Sequence, residues 1–338
     1  MTILNINVKH KNYDIVLERG AITHLSDFFD TSRKIFILTD QNVPQKWVDI
    51  VSSQCVNSFV YKVHGGEESK SMDTFKDCLN ACLDFKMSRK DLLLALGGGV
   101  IGDLGGFVAA SYMRGIPFIS IPTTTLSQID SSIGGKVAIN LGTVKNIVGA
   151  FYHPDKVIID FDTLSTLPHR HYINGLIEAL KAGLIHDASL FELFEKENWE
   201  EYLEEIIYKS LCMKKWVVEE DEKEMGVRKT LNFGHTIGHG IEGYYNLEKY
   251  YHGECVAMGM LYFLEDETVK QRVLKIYERM NILPATDIDI DAVYALTAVD
   301  KKAYSDSISV VKVKEIGKAY IEEIKKSEIK AILERGTL

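Results

Sequence analysis

Cysteine is scarce in this sequence and never occurs as a Cys-x-x-Cys pair. The chain has 338 residues and five cysteines, which are Cys55, Cys78, Cys82, Cys212 and Cys255. An odd number of cysteines in so long a chain argues against a disulfide framework and favours a reducing compartment. Cys78 and Cys82 lie four residues apart, so we expect them to share a helix face and to serve packing.

Positive charge is also in short supply. The chain has 39 lysines and arginines against 48 aspartates and glutamates, which gives a formal net charge of −9 at pH 7. This balance excludes a nucleic-acid-binding protein that works by bulk electrostatic attraction. A basic cluster within so acidic a chain is therefore interpreted as a local pocket and not as a general property of the surface.

Long apolar runs are missing as well. The most apolar window, residues 92–113, contains Asp103 and several glycines, which excludes a membrane-spanning helix there. The first 14 residues lack the apolar core of a signal peptide. The sequence shows no internal repeat and no low-complexity linker. We expect a cytoplasmic protein.

The sequence does hold enough apolar residues for ordinary globular domains, with 46% hydrophobic and 26% charged residues. Its length suggests two domains. Alternating apolar and polar residues at 3–8 and 13–18 predict an N-terminal hairpin. Short apolar runs typical of buried parallel strands follow at 34–40, 58–63, 91–96, 117–121 and 156–160. Helical patterns separate them, so residues 1–168 are predicted to form an α/β domain with a mainly parallel sheet.

The second part of the chain, residues 169–338, is predicted to be a mainly α-helical domain. As far as about residue 296 it contains long periodic segments and no convincing strand. A late hairpin is predicted at 307–313 and 318–324, followed by a short helix from about residue 325.

One apolar stripe of this domain carries a lysine. Leu203, Ile206, Ile207 and Leu211 have helical spacing, and Lys214 falls on the same face, three turns after Leu203. Two interpretations stay open: the lysine extends along the helix end into water, or it is held inward for a ligand.

A glycine-rich turn joins the strand at 91–96 to a predicted helix. Gly97-x-Gly99-x-x-Gly102 has the spacing of a dinucleotide-binding loop, in which backbone N–H groups approach a pyrophosphate. A tight strand–helix turn without a ligand is the alternative. Earlier strand ends offer Asp40 with Asn42 and the run 65–70 as contacts for ribose or phosphate.

The stretch from 120 to 146 combines hydroxyls, Asp130, two lysines, amides and a glycine pair. Lysines and amides suit a phosphorylated polyol as donors, and a carboxylate accepts from its hydroxyls. The many small residues favour a backbone folded tightly around a ligand, and a solvated loop is the alternative.

A histidine-rich stretch runs from Arg228 to Glu254. If it is helical from its start, it places four polar residues on one face: Asn232, His235, His239 and Glu242. This density of possible ligands predicts a metal or anion site, whereas a polar helix face with ordinary histidines is the alternative. Glu178 and Lys181 also share a helix face, either as a plain ion pair or as a metal ligand beside a cation.

Taken in order, these motifs resemble the 3-dehydroquinate synthase family. The resemblance covers roughly residues 40–302 and is carried by GGGVIGDLGGFVAASYMRG (97–115), IPTTTLSQIDSSIGGKVAIN (121–140), KNIVGAFYHP (145–154), TLP (166–168), GLIEALKAG (175–183), RKTLNFGHTIGHGIE (228–242), HGE (252–254) and DKK (300–302). It implies an N-terminal NAD-binding α/β domain and a C-terminal helical domain, with the active site in the cleft, and a homodimer.

The resemblance also implies a metal and a reaction. It makes Glu178, His235 and His252 the ligands of Zn²⁺ or Co²⁺, a chemically sensible set for a catalytic ion. Spacing alone would have paired His235 with His239, which the family assigns to the substrate phosphate. The implied reaction turns 3-deoxy-D-arabino-heptulosonate 7-phosphate into 3-dehydroquinate by transient oxidation with NAD, phosphate elimination, re-reduction and aldol closure.

Further residues receive roles by the same resemblance. The phosphate pocket is matched by Lys136, Asn146, Asn232, His239 and either Lys301 or Lys302. Arg228 and Lys214 match carboxylate contacts, Asp130 and Lys181 match groups at the reacting hydroxyls, and Arg114 matches an arginine that reaches the neighbouring subunit. The positions matched to NAD are Asp40, Glu67, Lys70, Gly98, Gly99, Asp103, Thr123, Thr124, Lys145 and Thr166.

The sequence departs from the family pattern at His64, His171, Ile177, Gly240 and 303–309, and none of these departures removes a predicted ligand. Three other interpretations are weighed against the synthase. Another sugar-phosphate cyclase would lack carboxylate binders such as Arg228. A net NAD-linked polyol dehydrogenase would not need a phosphate pocket, and a non-catalytic binding protein would not need the full metal set.

Overall fold

The computed structural model describes residues 1–9, 11–142, 144–245, 249–283, 285, 287–299 and 306–336. The chain divides into two compact units. The first comprises Met1–Tyr172 with Lys214–Glu219, and the second comprises Ile173–Met213 with Glu220–Leu338.

Nine strands and three α-helices make up the described part of the first unit up to residue 172. The strands are β1 (Thr2–Val8), β2 (Lys11–Leu17), β3 (Lys34–Asp40), β4 (Asn57–Val63), β5 (Leu92–Gly97), β6 (Phe118–Pro122), β7 (Lys136–Leu141), β8 (Val144–Phe151) and β9 (Lys156–Ile159). The helices are α1 (Gln45–Ser53), α2 (Met72–Asp84) and α3 (Gly99–Ser111). The predicted hairpin and the five predicted buried strands are confirmed, with ends shifted by at most two residues.

Seven of these strands form one sheet in the order β1-β2-β9-β6-β5-β3-β4. β1 and β2 are antiparallel, and every other pair is parallel. Alternate side chains enter two separate apolar clusters: Ile35 and Ile37 of β3 belong to one, and Phe36 and Leu38 to the other. Both faces are therefore buried, which is why these strands read as continuous apolar runs. The predicted mainly parallel α/β domain is confirmed.

The β7–β8 hairpin was not predicted from the sequence, which favoured a backbone folded tightly around a ligand from 120 to 146 and assigned no strand there after residue 121. A π-helical turn covers Ser127–Ser131, but an antiparallel pair of strands follows directly. β7 alternates between exposed and buried residues, and its buried Val137 packs so closely on α3 that a Cβ at Gly106 would lie 2.3 Å from it. The exposed positions of these strands hold apolar as well as polar residues, so the sequence shows no clear alternation.

The second unit is mainly helical. Its helices, two of which extend into the first unit, are α4 (His169–Ile185), α5 (Ala188–Glu195), α6 (Leu203–Glu220), α7 (His235–Tyr244), α8 (His252–Leu261), α9 (Glu267–Arg279) and α10 (Ile290–Val299). β10 (Ser307–Glu315), β11 (Lys318–Lys325) and α11 (Lys326–Arg335) then complete it. The predicted helical domain, its late hairpin and its final helix are confirmed. Among the described residues, no helix is both long and apolar enough to cross a membrane.

Candidate active site

The histidine-rich stretch is not one continuous helix, and that prediction was wrong. A 3-10 turn covers Val227–Asn232, Gly234 adopts a left-handed φ of 77°, and α7 begins at His235. Asn232 therefore lies outside the helix whose face it was expected to share. His235, His239 and Glu242 do lie on α7, at helical spacing.

Close packing of α7 against α8 explains the glycines of this stretch. A Cβ at Gly259 of α8 would lie 2.0 Å from the carbonyl oxygen of Gly234, and a Cβ at Gly238 would lie 3.0 Å from that of Cys255. The close neighbour that these glycines accommodate is thus another helix backbone, not a ligand. As a result, His235 and His252 stand at the first turns of two tightly packed helices.

The two histidines face one buried carboxylate. Glu178 of α4 is 3% exposed, and its Oε1 lies 3.7 Å from His235 Nε2 and 3.8 Å from His252 Nε2. One atom from each residue falls within 4.8 Å of the others, as ligands of a single metal ion would. The structure thus brings together the three residues that the family resemblance named from three separate parts of the chain.

Hydrogen bonds fix which ring nitrogen of each histidine carries the proton. His235 Nδ1 lies 3.1 Å from the Phe233 carbonyl oxygen, and His252 Nδ1 lies 2.9 Å from Glu242 Oε2. Both partners can only accept, so each Nδ1–H donates and each Nε2 keeps its lone pair on the Glu178 side. This is the usual orientation of metal-binding histidines, which donate their other N–H to a carboxylate or a carbonyl.

The two histidines have opposite pKa shifts. Burial, followed by the nearby Lys181 ammonium, lowers the pKa of His235 well below its usual value. Burial would also lower the pKa of His252, but its hydrogen bond to Glu242 and the charge of that carboxylate outweigh burial, so the pKa is raised. Glu242 therefore acts directly on His252.

An orphaned oxygen shows that these residues fit a divalent ion. Glu178 Oε2 is bonded by the buried Lys181 ammonium, whereas Oε1 has no hydrogen-bond partner among the described residues. A buried carboxylate oxygen without a partner is unfavourable unless a cation joins it. Zn²⁺ binds carboxylate oxygen and imidazole nitrogen at about 2.0–2.2 Å, so two ligand atoms of one ion lie at most about 4.4 Å apart.

A second possible set, comprising His239, Glu242 and His252, is less suited to an ion. Its ligand atoms also fall within 4.8 Å of one another. However, Glu242 Oε2 and His252 Nδ1 are already joined through a proton at 2.9 Å. An ion there would have to displace that proton, whereas the Glu178 set offers an oxygen and two nitrogens that are ready to bind.

Arg228 and Asn232 form a polar wall in the same unit. Arg228 is 2% exposed; its Nη1 donates to the Glu222 carbonyl at 2.6 Å, and its backbone N–H donates to Asp221. Asn232 Nδ2 donates to Glu224 Oε1 at 2.9 Å. Glu224 was not predicted from the sequence, because it is one of several acids in the run from 219 to 224 and only its left-handed φ of 60° sets it apart.

In the first unit, Lys214 is buried and its ammonium forms an ion pair with Asp130. The lysine is 7% exposed, so it does not extend into water along the helix end. Its side chain is held inward against Asp130, and its role toward a ligand stays a prediction. Asp130 lies in the π-helical turn after β6. Two residues that the resemblance placed near the substrate thus meet directly.

The glycine loop is formed as the sequence predicts. β5 ends at Gly97, and Gly98 precedes the first turn of α3. Thr123 donates its backbone N–H to Gly97 at 2.9 Å, and Thr124 bonds to the hydroxyl of Ser127. The two threonines therefore stand at the end of β6, beside the glycine loop, where ligands of parallel sheets gather.

Asp103 of α3 belongs to a network of partly buried polar groups. Lys70 Nζ bonds to Asp103 Oδ2 at 2.7 Å and to Asn146 Oδ1 at 2.5 Å, and it lies 3.6 Å from Glu67 Oε1. Burial raises the pKa of Asp103 to about 6, although Lys70 opposes the shift. Asn140 joins the same network through Glu67 and Asn146.

The other predicted residues are more scattered. Asp40 accepts the backbone N–H groups of Asn42 and Val43, and burial raises its pKa. Thr166 accepts from the indole of Trp47 at 2.8 Å. Three predicted cations are exposed: Arg114, Lys136 and Lys145. Lys301 and Lys302 lie outside the described residues.

Comparison with known proteins gives matches along most of the chain. Residues 60–174 match the family model described as 3-dehydroquinate synthase N-terminal, and residues 175–303 match the model described as 3-dehydroquinate synthase C-terminal. A 3-dehydroquinate synthase of Clostridium kluyveri is 39% identical over 363 aligned positions, which cover 98% of each chain.

Two solved structures share the fold. A 2-deoxy-scyllo-inosose synthase complexed with carbaglucose-6-phosphate, NAD⁺ and Co²⁺ has a TM-score of 0.88 at 24% identity, and the match covers 99% of this chain and 100% of that one. The 2-epi-5-epi-valiolone synthase ValA of Streptomyces hygroscopicus subsp. jinggangensis 5008, with NAD⁺ and Zn²⁺ bound, has a TM-score of 0.86 at 25% identity, covering 97% and 98%.

Proposed function

This chain belongs to the 3-dehydroquinate synthase family, and we propose that it converts 3-deoxy-D-arabino-heptulosonate 7-phosphate to 3-dehydroquinate and phosphate. One observation carries the proposal: both family models match in order and together span residues 60–303. The relative from Clostridium kluyveri extends the similarity to nearly the whole chain. The reaction is a step of the shikimate pathway, which leads to chorismate and the aromatic amino acids.

The proposed cofactors are NAD and a divalent ion, Zn²⁺ or Co²⁺, held by Glu178, His235 and His252. The orphaned oxygen of Glu178 and the two available Nε2 atoms support the ion. The glycine loop and the cofactors of the two solved cyclases support NAD. When bound, the ion supplies Lewis acidity at substrate hydroxyls, and NAD supplies a transient hydride acceptor, so the reaction has no net redox change.

Residues of the second unit orient the substrate in this proposal. The buried guanidinium of Arg228 offers bidentate donors for the substrate carboxylate, a role that a lysine would fill less well. Asn232 and His239 bind the phosphate, together with one of Lys301 and Lys302. Lys181 donates to Glu178 Oε2, and in this proposal it also acts at the reacting hydroxyls.

Residues of the first unit hold charge and protons at the reacting centre. Asp130 accepts from a substrate hydroxyl, while Lys214 pairs with that carboxylate and donates toward the substrate carboxylate. Lys136 and Asn146 contribute further phosphate donors. The NAD contacts proposed for this unit are Asp40, Asn42, Glu67, Lys70, Gly98, Gly99, Asp103, Thr123, Thr124, Lys145 and Thr166.

We assign residues 1–168 as the NAD-binding domain and residues 169–338 as the domain that binds metal and substrate. We also propose a homodimer in which Arg114 reaches the site of the neighbouring subunit. Four exposed apolar residues of the β7–β8 hairpin support an interface: Leu141, Val144, Ile147 and Phe151. The five free cysteines agree with a cytoplasmic location.

The test is to incubate the purified protein with the heptulosonate phosphate, Zn²⁺ and a trace of NAD, and to follow phosphate and NADH together. A synthase releases many equivalents of phosphate per NAD while NADH stays low. Stoichiometric NADH without catalytic phosphate release would establish a dehydrogenase instead. Turnover of glucose 6-phosphate in place of the keto-acid phosphate would identify a different sugar-phosphate cyclase, which the shared fold makes the second candidate.

A further inference from the structure

Asn140 occupies an irregular position in the β7–β8 hairpin. Ile139 pairs with Val148, but the next pair is Leu141 with Val144, so residues 145–147 lie opposite Asn140 alone. Such a bulge removes a residue from the regular hydrogen-bond ladder and redirects its groups. The backbone and side-chain groups of Asn140 are therefore available for contacts outside the hairpin ladder.

Those groups make three hydrogen bonds. The backbone N–H of Asn140 donates to the Lys70 carbonyl at 2.7 Å, and its Nδ2 donates to Glu67 Oε1 at 2.9 Å. Its Oδ1 accepts the backbone N–H of Asn146 at 2.8 Å. The side-chain amide of Asn140 thus donates to Glu67 and accepts from Asn146.

The bond to Asn146 holds an unusual backbone conformation. Asn146 has a φ of 53°, in the left-handed region that few residues other than glycine adopt. Such a conformation persists only where its surroundings hold it. Asn140 holds the Asn146 N–H, and Lys70 holds its side-chain oxygen at 2.5 Å, so the direction of the Asn146 side chain is set from both ends.

We propose that Asn140 is a positioning residue that sets the cofactor contact Glu67 and the phosphate contact Asn146 together. The inference rests on the proposed function, which gives Glu67 to NAD and Asn146 to the substrate phosphate. An asparagine suits the position because one short side chain must donate to a carboxylate and accept from an N–H. Aspartate lacks the donor, and alanine lacks both groups.

Two substitutions separate the effect of the donor group of the Asn140 amide from the effect of its acceptor oxygen. Asn140→Asp keeps an acceptor for the Asn146 N–H but sets a second carboxylate against Glu67. We expect NADH to bind about tenfold more weakly, while the inhibition constant of inorganic phosphate against the substrate stays within about threefold of wild type. Asn140→Ala removes both contacts, so we expect both constants to weaken by about tenfold.

The measurements are NADH binding by fluorescence without substrate, and competitive inhibition by inorganic phosphate in the turnover assay. Lys76→Ala is the control, because Lys76 is exposed on α2, which follows the segment that carries Glu67 and Lys70, and it belongs neither to the network nor to the proposed interface. We expect it to change neither constant by more than about twofold. If Asn140 served only the stability of the hairpin, both Asn140 variants would shift the two constants in proportion to their loss of thermal stability.

A double substitution tests the link to Glu67 itself. In a Glu67→Gln background, the carboxylate introduced by Asn140→Asp faces an amide that can donate to it. Adding Asn140→Asp there should weaken NADH binding by less than about threefold, because coupled neighbours are not additive. A further tenfold loss in that background would overturn the proposal, and so would a folded Asn140→Ala variant with both constants unchanged. Failure of the wild-type protein to bind NADH or to release phosphate would instead reject the proposed function.

Discussion

Glu178 in the second unit and Asp103 in the first are both carboxylates kept largely from water beside a lysine, but their surroundings differ. Glu178 keeps one oxygen without a hydrogen-bond partner among the described residues, next to two imidazole nitrogens. Asp103 shares the Lys70 ammonium with Asn146, so that cation is already occupied by protein groups. The first arrangement needs an added cation to be complete, whereas the second is complete without one.

The difference predicts how each site responds to substitution. Function should be lost abruptly at the metal site and gradually in the Asp103 network. A site completed by an ion loses its function when one ligand is removed, because the remaining ligands do not hold the ion. A network of protein groups loses one or two hydrogen bonds at a time.

The largest expected effect follows from removing a ligand. His252→Ala should lose the bound metal, measured by atomic absorption after dialysis, and should lower kcat by about a thousandfold or more, which is about 4 kcal/mol. His239→Ala is the matched control on α7: it should keep the metal and raise KM through loss of phosphate binding. If His239→Ala loses the metal and His252→Ala keeps it, the ligand assignment is wrong.

The buried ion pair of the first unit comes next. Lys214→Met removes the buried ammonium that pairs with the Asp130 carboxylate, and we expect kcat/KM to fall about a hundredfold, or roughly 3 kcal/mol. Lys215→Met is the control, because the neighbouring Lys215 pairs with Glu219 on the same helix and is 28% exposed. That variant should change kcat/KM by less than about threefold. Equal losses in the two variants would contradict an inward role for Lys214.

A pH dependence tests whether the Asp103 network is complete in the apoprotein. The pKa of Asp103 is raised from 3.8 to about 6, so folding favours its protonated form. Its contribution to stability is full below pH 4 and is lost as the pH rises through 6, a change of roughly 3 kcal/mol. Asp103→Asn removes this dependence, so the stability of wild type relative to the variant should fall from pH 4 to 7.

Urea unfolding measures that difference at each pH, followed by the fluorescence of Trp47 in a background where Trp199 and Trp216 are replaced by phenylalanine. Asp77→Asn on α2 is the control, since Asp77 is exposed and takes no part in the network. A constant difference between wild type and Asp103→Asn across this pH range would refute the pKa assignment.

The smallest expected effect concerns the support of His252. Glu242→Gln keeps an acceptor for His252 Nδ1–H but removes the charge, and we expect zinc affinity to fall about tenfold. Competition with a chromophoric chelator measures this affinity without substrate. Glu254→Gln is the control, because Glu254 caps α8 through the Tyr251 N–H. An unchanged zinc affinity in Glu242→Gln would show that the carboxylate charge does not act on the metal site.

The sequence predicted most of the first unit because its strands are buried on both faces. A run such as Ile35–Leu38 fills two cores and leaves little room for another interpretation. The β7–β8 hairpin was not predicted because its exposed positions hold both polar and apolar residues. A bulge at Asn140 also interrupts the alternation. Periodicity identifies elements whose burial is regular and misses those whose burial is not.

The metal site shows a different limit of sequence patterns, because its ligands come from distant parts of the chain. Helical spacing alone would have joined His235 to His239, and the structure does place those two rings 5.2 Å apart. It also sets His235 beside Glu178 and His252, which are 57 and 17 residues away in the sequence. Contacts of this range are made by tertiary packing and leave no periodic trace. The break at Gly234 was hidden as well, because a glycine is compatible with a helix interior and with a left-handed turn. Motif resemblance, not spacing, supplied the third ligand.

The contact between α7 and α8 also bears on how the site behaves while it is empty. Because the Gly259 side of α8 meets the Gly234 carbonyl with no space for even a methyl group, the two helices cannot slide along each other without a clash. Main-chain contact therefore sets the distance between the backbones that carry His235 and His252, and hydrogen bonds to Phe233 and Glu242 orient the two rings. The apoprotein should accordingly bind an ion by direct capture, with fast and single-phase kinetics, and without a slow rearrangement of its helices.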